Sequence, residues 1–197
     1  MKKRLQKAYF RNPDTLFLAR DLLGKVLCTR IDDVITKGII CETEAYLGVT
    51  DKASHAYGGL KSARTQTMYK SGGVSYVYLC YGIHHLMNIV THQQDVPHAV
   101  LIRGIKAFEG VPYMLKRRGL SKLKPDSLIG PGKVSQALGI KTAHDAEDLT
   151  RQTIWLEDHG IHVPEILISV GPRIGVDYAG EDAKLPYRFR INDLSKI

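Results

Sequence analysis

Cysteine is scarce in this chain and poorly placed for chemistry. Cys28, Cys41 and Cys80 are odd in number and far apart, and no C-x-x-C pair occurs. That argues against a disulfide framework and makes reduced, buried thiols in a cytosolic protein the expectation. Long apolar runs are missing as well. Met1-Lys2-Lys3-Arg4 imitates the start of a signal peptide, but Arg20 and Asp21 interrupt the apolar stretch nearby, so neither an export signal nor a membrane span is expected. H-x-E with P-C-x-x-C is absent, which sets aside a zinc nucleobase deaminase, and neither H-E-x-x-H nor G-x-S-x-G occurs. Acidic residues are outnumbered, 20 Asp+Glu against 28 Lys+Arg, for a net charge of +8 and a pI near 9.4. The excess favours a polyanionic partner, although charge alone does not separate a nucleic-acid binder from a merely basic protein.

What is present is enough for one domain spanning 1–197. The chain has 44% hydrophobic residues and shows no repeat, low-complexity block or linker. Asn12-Pro13-Asp14 reads as a helix start, with Gly24 as its stop. Lys25–Ile31 and Thr36–Leu47 read as strands joined at Asp32-Asp33. Residues 48–66 form a polar, irregular stretch long enough to suggest function. Ser71-Gly72-Gly73 turns into a tyrosine-rich strand, followed by strands over His85–Thr91 and Ala99–Ala107. Helices are predicted over Gly110–Arg118 and Pro131–Leu138, and strands over Ile166–Val170 and Tyr187–Ile191. No β-α-β rhythm appears. The fold class is therefore α+β, a single domain with a mostly antiparallel sheet flanked by helices.

Two stretches concentrate the chemistry. In Glu42-Thr43-Glu44-Ala45-Tyr46, strand alternation puts Glu42, Glu44 and Tyr46 on one face. In Tyr76-Val77-Tyr78-Leu79-Cys80-Tyr81-Gly82, Tyr76 and Tyr78 share a face and Tyr81 stands at a turn. A carboxylate able to activate water, flat aromatic walls and a basic chain together suggest chemistry on a nucleobase. Duller readings exist for each residue. Glu44 fits a surface carboxylate of an edge strand, Tyr78 and Tyr81 fit core aromatics, and His55 fits an exposed loop residue. Asn88, between Met87 and Ile89, and Arg103, after Val100-Leu101-Ile102, need partners in either case. Gly130-Pro131-Gly132-Lys133 before a helix suits a phosphate but lacks P-loop spacing. A basic patch gathers Lys116, Arg117, Arg118, Lys122 and Lys124. A metal-dependent nuclease using Glu42 and Glu44 is a further alternative.

The run from Glu42 to Gly48, then His55, Arg64, Met68-Tyr69, Tyr76 to Gly82 and Met87-Asn88, resembles the alkyladenine (3-methyladenine) DNA glycosylase family of mammals and bacteria. The likeness continues through Leu101-Ile102-Arg103, Gly130 to Lys133, Gln136 to Ile140, Arg173 to Val176, Ala179-Gly180-Glu181 and Lys184 to Phe189, in order over nearly the whole chain. The resemblance implies a single domain with a curved antiparallel sheet and a monofunctional, base-flipping hydrolase in base excision repair, working without metal or other cofactor. Its partner would be double-stranded DNA carrying damaged purines, and the protein a cytoplasmic, nucleoid-associated bacterial monomer with no membrane association. By position, Glu44 matches the general base that activates water, with Arg103 and the backbone carbonyl of Ile174 helping to hold that water. Tyr46, His55 and Tyr78 match the walls that sandwich the extruded base. Tyr81 matches the wedge that fills the gap in the duplex, and Asn88 the side chain that crowds the amino group of guanine. Thr65, the Thr91–His98 turn and Ile83-His84-His85 depart from the family pattern. A silent damaged-DNA binder is the remaining alternative, against which Glu44 and Arg103 speak.

Overall fold

The computed structural model describes residues 2–197. Along the chain the elements are β1 (Lys3–Arg4), α1 (Lys7–Phe10), α2 (Thr15–Asp21), β2 (Val26–Ile31), β3 (Val34–Tyr46), β4 (Ser75–Cys80), β5 (His84–Thr91), β6 (His98–Glu109), α3 (Val111–Arg118), α4 (Pro131–Leu138), β7 (Ile154–Asp158), β8 (Ile168–Gly171) and β9 (Arg188–Ile191). Local chemistry sets several boundaries. The Asp14 carboxylate accepts from the Phe17 N–H at 2.8 Å and caps α2. Pro131 opens α4, where its missing N–H is no loss, and left-handed Gly139 closes it. The α2, hairpin and helix expectations agree with these spans to within a few residues. β8 starts later than expected because Glu165–Leu167 forms a 3-10 turn. β1, α1 and β7 were not expected.

Among the described residues the sheet has nine strands in the order β1-β7-β2-β3-β6-β5-β4, with β9 beside β3 and β8 beside β9, and every pairing is antiparallel. One face is covered by helices. Ala19 of α2 and Leu22 just after it, Met114 of α3 and Val134 and Leu138 of α4 bury against Cys41, Ala45, Ile102 and Ile105. The other face is covered by loops instead. Ala56 and Met68 pack on Tyr76, Val90 and Ala99, while Ala53 packs with Val176 and Ala179. Loops fill a sheet face less completely than helices, and a cleft stays open between them. Cys28 and Cys41 are buried as expected, but Cys80 at the end of β4 is only half-buried. Among the described residues, no helix is long and apolar enough to cross a membrane.

Candidate active site

One register row crosses four strands. Glu44 lies opposite Leu101, Leu101 opposite Asn88, and Asn88 opposite Tyr76. Residues far apart in sequence thereby share the loop-covered face. The β3–β6 ladder is irregular beside this row: Ile40 pairs with Ile105, Glu42 with Gly104 and Thr43 with Ile102, which leaves Cys41 and Arg103 without partners. Bulges re-aim side chains, and here the irregularity turns Arg103 toward the carboxylates. A Cβ on Gly104 would stand 3.0 Å from the Glu42 Cβ, so glycine permits this close approach without the neighbours having to shift. The cleft above the row has a volume of about 620 Å³ and is lined by Tyr46, His55, Tyr78, Tyr81, Asn88, Arg103, Ile174 and Gly130–Lys133, among others.

Glu44 is 0% exposed and lies behind that lining. Its Oε1 accepts from the Ile174 N–H at 2.8 Å, and its Oε2 from the Tyr46 hydroxyl at 2.8 Å. Arg103 Nε is 3.4 Å from Glu44 Oε1 and also 3.4 Å from Glu42 Oε1. Arg188 Nη1 completes the cluster at 3.0 Å from Glu42 Oε1. Burial pushes the Glu44 pKa above the ordinary carboxylate value. Arg103, the Ile174 N–H and the Tyr46 hydroxyl pull it partly back, and Glu42 adds to the rise. The expected shared face of Glu42, Glu44 and Tyr46 is present. The cation between the two carboxylates is a guanidinium, standing where a nuclease would hold its metal.

The aromatic wall is tied together by hydrogen bonds. His55 Nδ1 is 2.9 Å from the Tyr76 hydroxyl, and its ring meets that of Tyr78 edge-on with centroids 4.6 Å apart. Arg64 Nη2 reaches His55 Nε2 at 3.4 Å. Arginine can only donate, so Nε2 accepts, and Nδ1–H donates to Tyr76. Burial, followed by the Arg64 charge, lowers the His55 pKa to about 4, so the ring is neutral at neutral pH. His55 is half-buried rather than solvent-exposed. Tyr76 is the core aromatic of this group, whereas half-buried Tyr78 borders the cleft.

Tyr81 is not a core residue. It is 89% exposed at the tip of the β4–β5 hairpin. Tyr81 and Gly82 both have positive φ, +49° and +73°, and the Ile83 N–H closes the turn on the Cys80 carbonyl at 3.2 Å. This is the backbone pattern of a type I′ turn, which favours Gly, Asn or Asp at both central positions. A tyrosine held there in strain, facing water, signals function. Asn88 is buried and its Nδ2 donates to the Tyr76 carbonyl at 3.1 Å, which fixes the amide at the cleft wall.

Several contributors take on contacts that the sequence did not specify. The contact that Ile174 makes with Glu44 comes from its N–H, not its carbonyl, and a backbone donor is invisible in sequence. Arg173 positions that N–H: it is buried, donates to Asp51 Oδ1 at 2.8 Å and to the Ala45 and Asp182 carbonyls at 3.0 Å, and its guanidinium lies 4.8 Å from the Tyr46 ring centroid. Arg64 and Arg188 likewise acquire partners only through the fold. Buried Thr65 staples its own loop, with Oγ1 donating to the Leu60 carbonyl at 2.9 Å. The basic patch is partly structural, because Arg117 Nη1 donates inward to the Thr36 hydroxyl and the Ala137 carbonyl, each at 3.2 Å.

Residues 8–195 match the family model described as methylpurine-DNA glycosylase (MPG). A Chlamydia felis protein is 46% identical over 190 residues, covering 95% of this chain and 96% of its own. A relative from Clostridium perfringens strain SM101 is 43% identical over 192 residues, covering 93% and 94%. One from Bdellovibrio bacteriovorus is 40% identical over 190 residues, covering 95% and 94%. All three carry the name "Putative 3-methyladenine DNA glycosylase".

Proposed function

The chain belongs to the methylpurine-DNA glycosylase family and is a DNA glycosylase, a hydrolase of N-glycosyl bonds, and from that premise we propose that it flips alkylated or deaminated purines out of duplex DNA and releases them with a water activated by Glu44. The observation that carries this reading is the placement of a buried carboxylate, Glu44, behind Tyr46, Arg103 and Ile174 at the floor of an aromatic cleft. The Arg103 contact is the longest of the three. A water entering there accepts a hydrogen bond from the guanidinium and gives its proton to Glu44. Its oxygen bonds to C1′ of the flipped nucleotide as the C1′–N bond breaks, and the bonding pair leaves with the purine. A cationic alkylated base leaves neutral and stacks well on electron-rich rings until it departs.

His55 presents a neutral face to such a cation, Tyr46 and Tyr78 complete the sandwich, and Tyr81 fills the vacated stack. Asn88 narrows the pocket where the 2-amino group of guanine would lie. The substrate class is 3-methyladenine, 7-methylguanine, hypoxanthine and ethenoadenine, of which the last two are neutral and must also take up a proton as they leave, and the chemistry requires no metal and no second chain. Duplexes each carrying one of these lesions, incubated in EDTA, are expected to lose the base and to break only after alkali or heat. No protein–DNA adduct should be trapped by borohydride, because water rather than an amine attacks. Direct Mg²⁺-dependent strand cleavage, or tight binding without base release, defeats the proposal.

A further inference from the structure

A second cleft, of about 590 Å³, adjoins the base cleft at His84 and Gly132, which border both. Its walls include His85 at the start of β5, Lys141 and His144 from the turn after α4, and Ile83 from the hairpin tip. Two of its imidazoles are fixed as donors. His85 Nδ1 accepts the Thr142 N–H at 3.1 Å, and His144 Nδ1 accepts the Lys141 N–H at 2.9 Å. A backbone N–H can only donate, so both Nδ1 atoms are bare and the proton of each neutral ring resides on Nε2. Neither Nε2 has a hydrogen-bonding partner among the described residues. Burial, then the charge of Lys141, lowers the pKa of His85, in keeping with a neutral donor. Lys141 is exposed and in no ion pair among the described residues, whereas the Arg117 guanidinium at the same cleft is spent on Thr36 and Ala137. Asp32 supplies the one carboxylate of the lining.

We infer that this cleft seats one backbone phosphodiester of the duplex beside the flipped nucleotide, with His85 Nε2–H and His144 Nε2–H donating and Lys141 supplying charge. A phosphodiester has acceptors and no donor, which matches a wall whose uncommitted imidazole groups are donors. The position fits too. Ile83, 71% exposed, borders this cleft, and Tyr81, two residues earlier, borders the base cleft. A duplex entered by the hairpin tip thus has this surface beside it, within reach of its flanking backbone.

The inference rests on the proposed base-flipping reading, and its test separates the two. His85→Asn and His144→Asn place Oδ1 where Nδ1 was, keeping the acceptor for the backbone N–H while deleting the Nε2 donor. Binding is measured for a duplex containing a tetrahydrofuran abasic-site analogue, intact or with one phosphate at a time replaced by uncharged methylphosphonate. For the unaltered protein, one linkage should show a loss of about tenfold, the scale of charge-assisted hydrogen bonds. The doubly substituted protein should bind the intact duplex about tenfold more weakly and show a clearly smaller methylphosphonate penalty at that linkage, the remainder being the attraction of Lys141. Equal binding by both proteins, or the same methylphosphonate penalty in both at every linkage, overturns the phosphate seat. Single-turnover base release run alongside identifies which idea has failed. Release retained with no coupling removes the seat alone, and no release from any lesion duplex by the unaltered protein removes both.

Discussion

Glu44 on β3 and Glu157 on β7 are both buried in the same sheet, 0% and 2% exposed, yet their surroundings push them in opposite directions. Glu157 accepts from Trp155 Nε1 at 2.7 Å, is 2.8 Å from His159 Nε2 and lies 3.0 Å from Lys2 Nζ, with Lys37 at 3.9 Å. Burial opposes its ionisation, but His159, Trp155, Lys2 and Lys37 outweigh it and hold the pKa down at about 2. Glu44 shares its one cation with Glu42, and burial prevails there. A carboxylate saturated with donors anchors a fold but is a poor base. One whose donors do not offset its burial retains the basicity that a general base needs.

The largest expected contrast is between the two glutamine substitutions. Glu44→Gln should slow base release by about 100-fold or more, the range for losing a general base, with lesion binding retained. Glu157→Gln should leave release per folded molecule unchanged while lowering unfolding stability by about 1–3 kcal/mol, the scale of an impaired buried hydrogen-bond set. Near-normal turnover by Glu44→Gln would end its assignment as the base. Glu42→Gln, on the same face, should be milder than Glu44→Gln.

Acid sharpens the same contrast. The folded pKa of Glu157 lies below its ordinary 4.5, so the stability it supplies is complete above that value and drains away as pH falls toward about 2. Glu44 has a raised pKa and is ionised only above it. Single-turnover release should therefore drop by roughly tenfold per pH unit below the Glu44 pKa, at pH values where circular dichroism still reports a folded protein. Activity and fold lost in a single transition would contradict this separation.

The two hairpins offer a second contrast. Between β2 and β3 the positive-φ positions are Asp32 and Asp33, at +54° and +59°, a residue type that tolerates this conformation through local hydrogen bonds. Between β4 and β5 they are Tyr81 and Gly82, and tyrosine gains no such compensation. Tyr81→Ala should weaken the flipped state by about tenfold, comparable to one lost aromatic–base stack, without lowering thermal stability. Tyr81→Phe or Trp should keep flipping. A base-analogue fluorophore opposite the lesion reads this directly, and unchanged flipping in Tyr81→Ala would remove the wedge role.

The smallest effect concerns selectivity. Asn88→Ser frees space at the cleft wall, and release of unmodified guanine from mispairs should rise by about tenfold, within the reach of one steric or unpaired-polar contact. Hypoxanthine and 3-methyladenine release should persist. If guanine release does not rise while those substrates are processed, discrimination lies in the His55 loop instead.

Most strands, α2, α3 and α4 were legible because their apolar periods and end signals are local, as with the Asp14 cap and the Pro131 and Gly139 boundaries. β7 was not, because Ile154–Glu157 is buried on both faces and shows no alternation. β1 and α1 are too short to leave a pattern. Within the site, the common face of Glu42, Glu44 and Tyr46 followed from a period of two residues.

By itself, then, the sequence determined the α+β class through local patterning and, through its resemblance to a known family, the family and the candidates Glu44, Tyr46, His55, Tyr78, Tyr81, Asn88 and Arg103. Tertiary structure alone decided that Glu44, Asn88 and Tyr76 share one row, that a bulge turns Arg103 onto both carboxylates, and that Arg173 presents the Ile174 N–H to Glu44. It also decided that the donors around Glu157 outweigh its burial while those around Glu44 do not. Register, bulges and backbone donors depend on which segments meet, and burial sets a carboxylate's pKa only once those segments have closed around it.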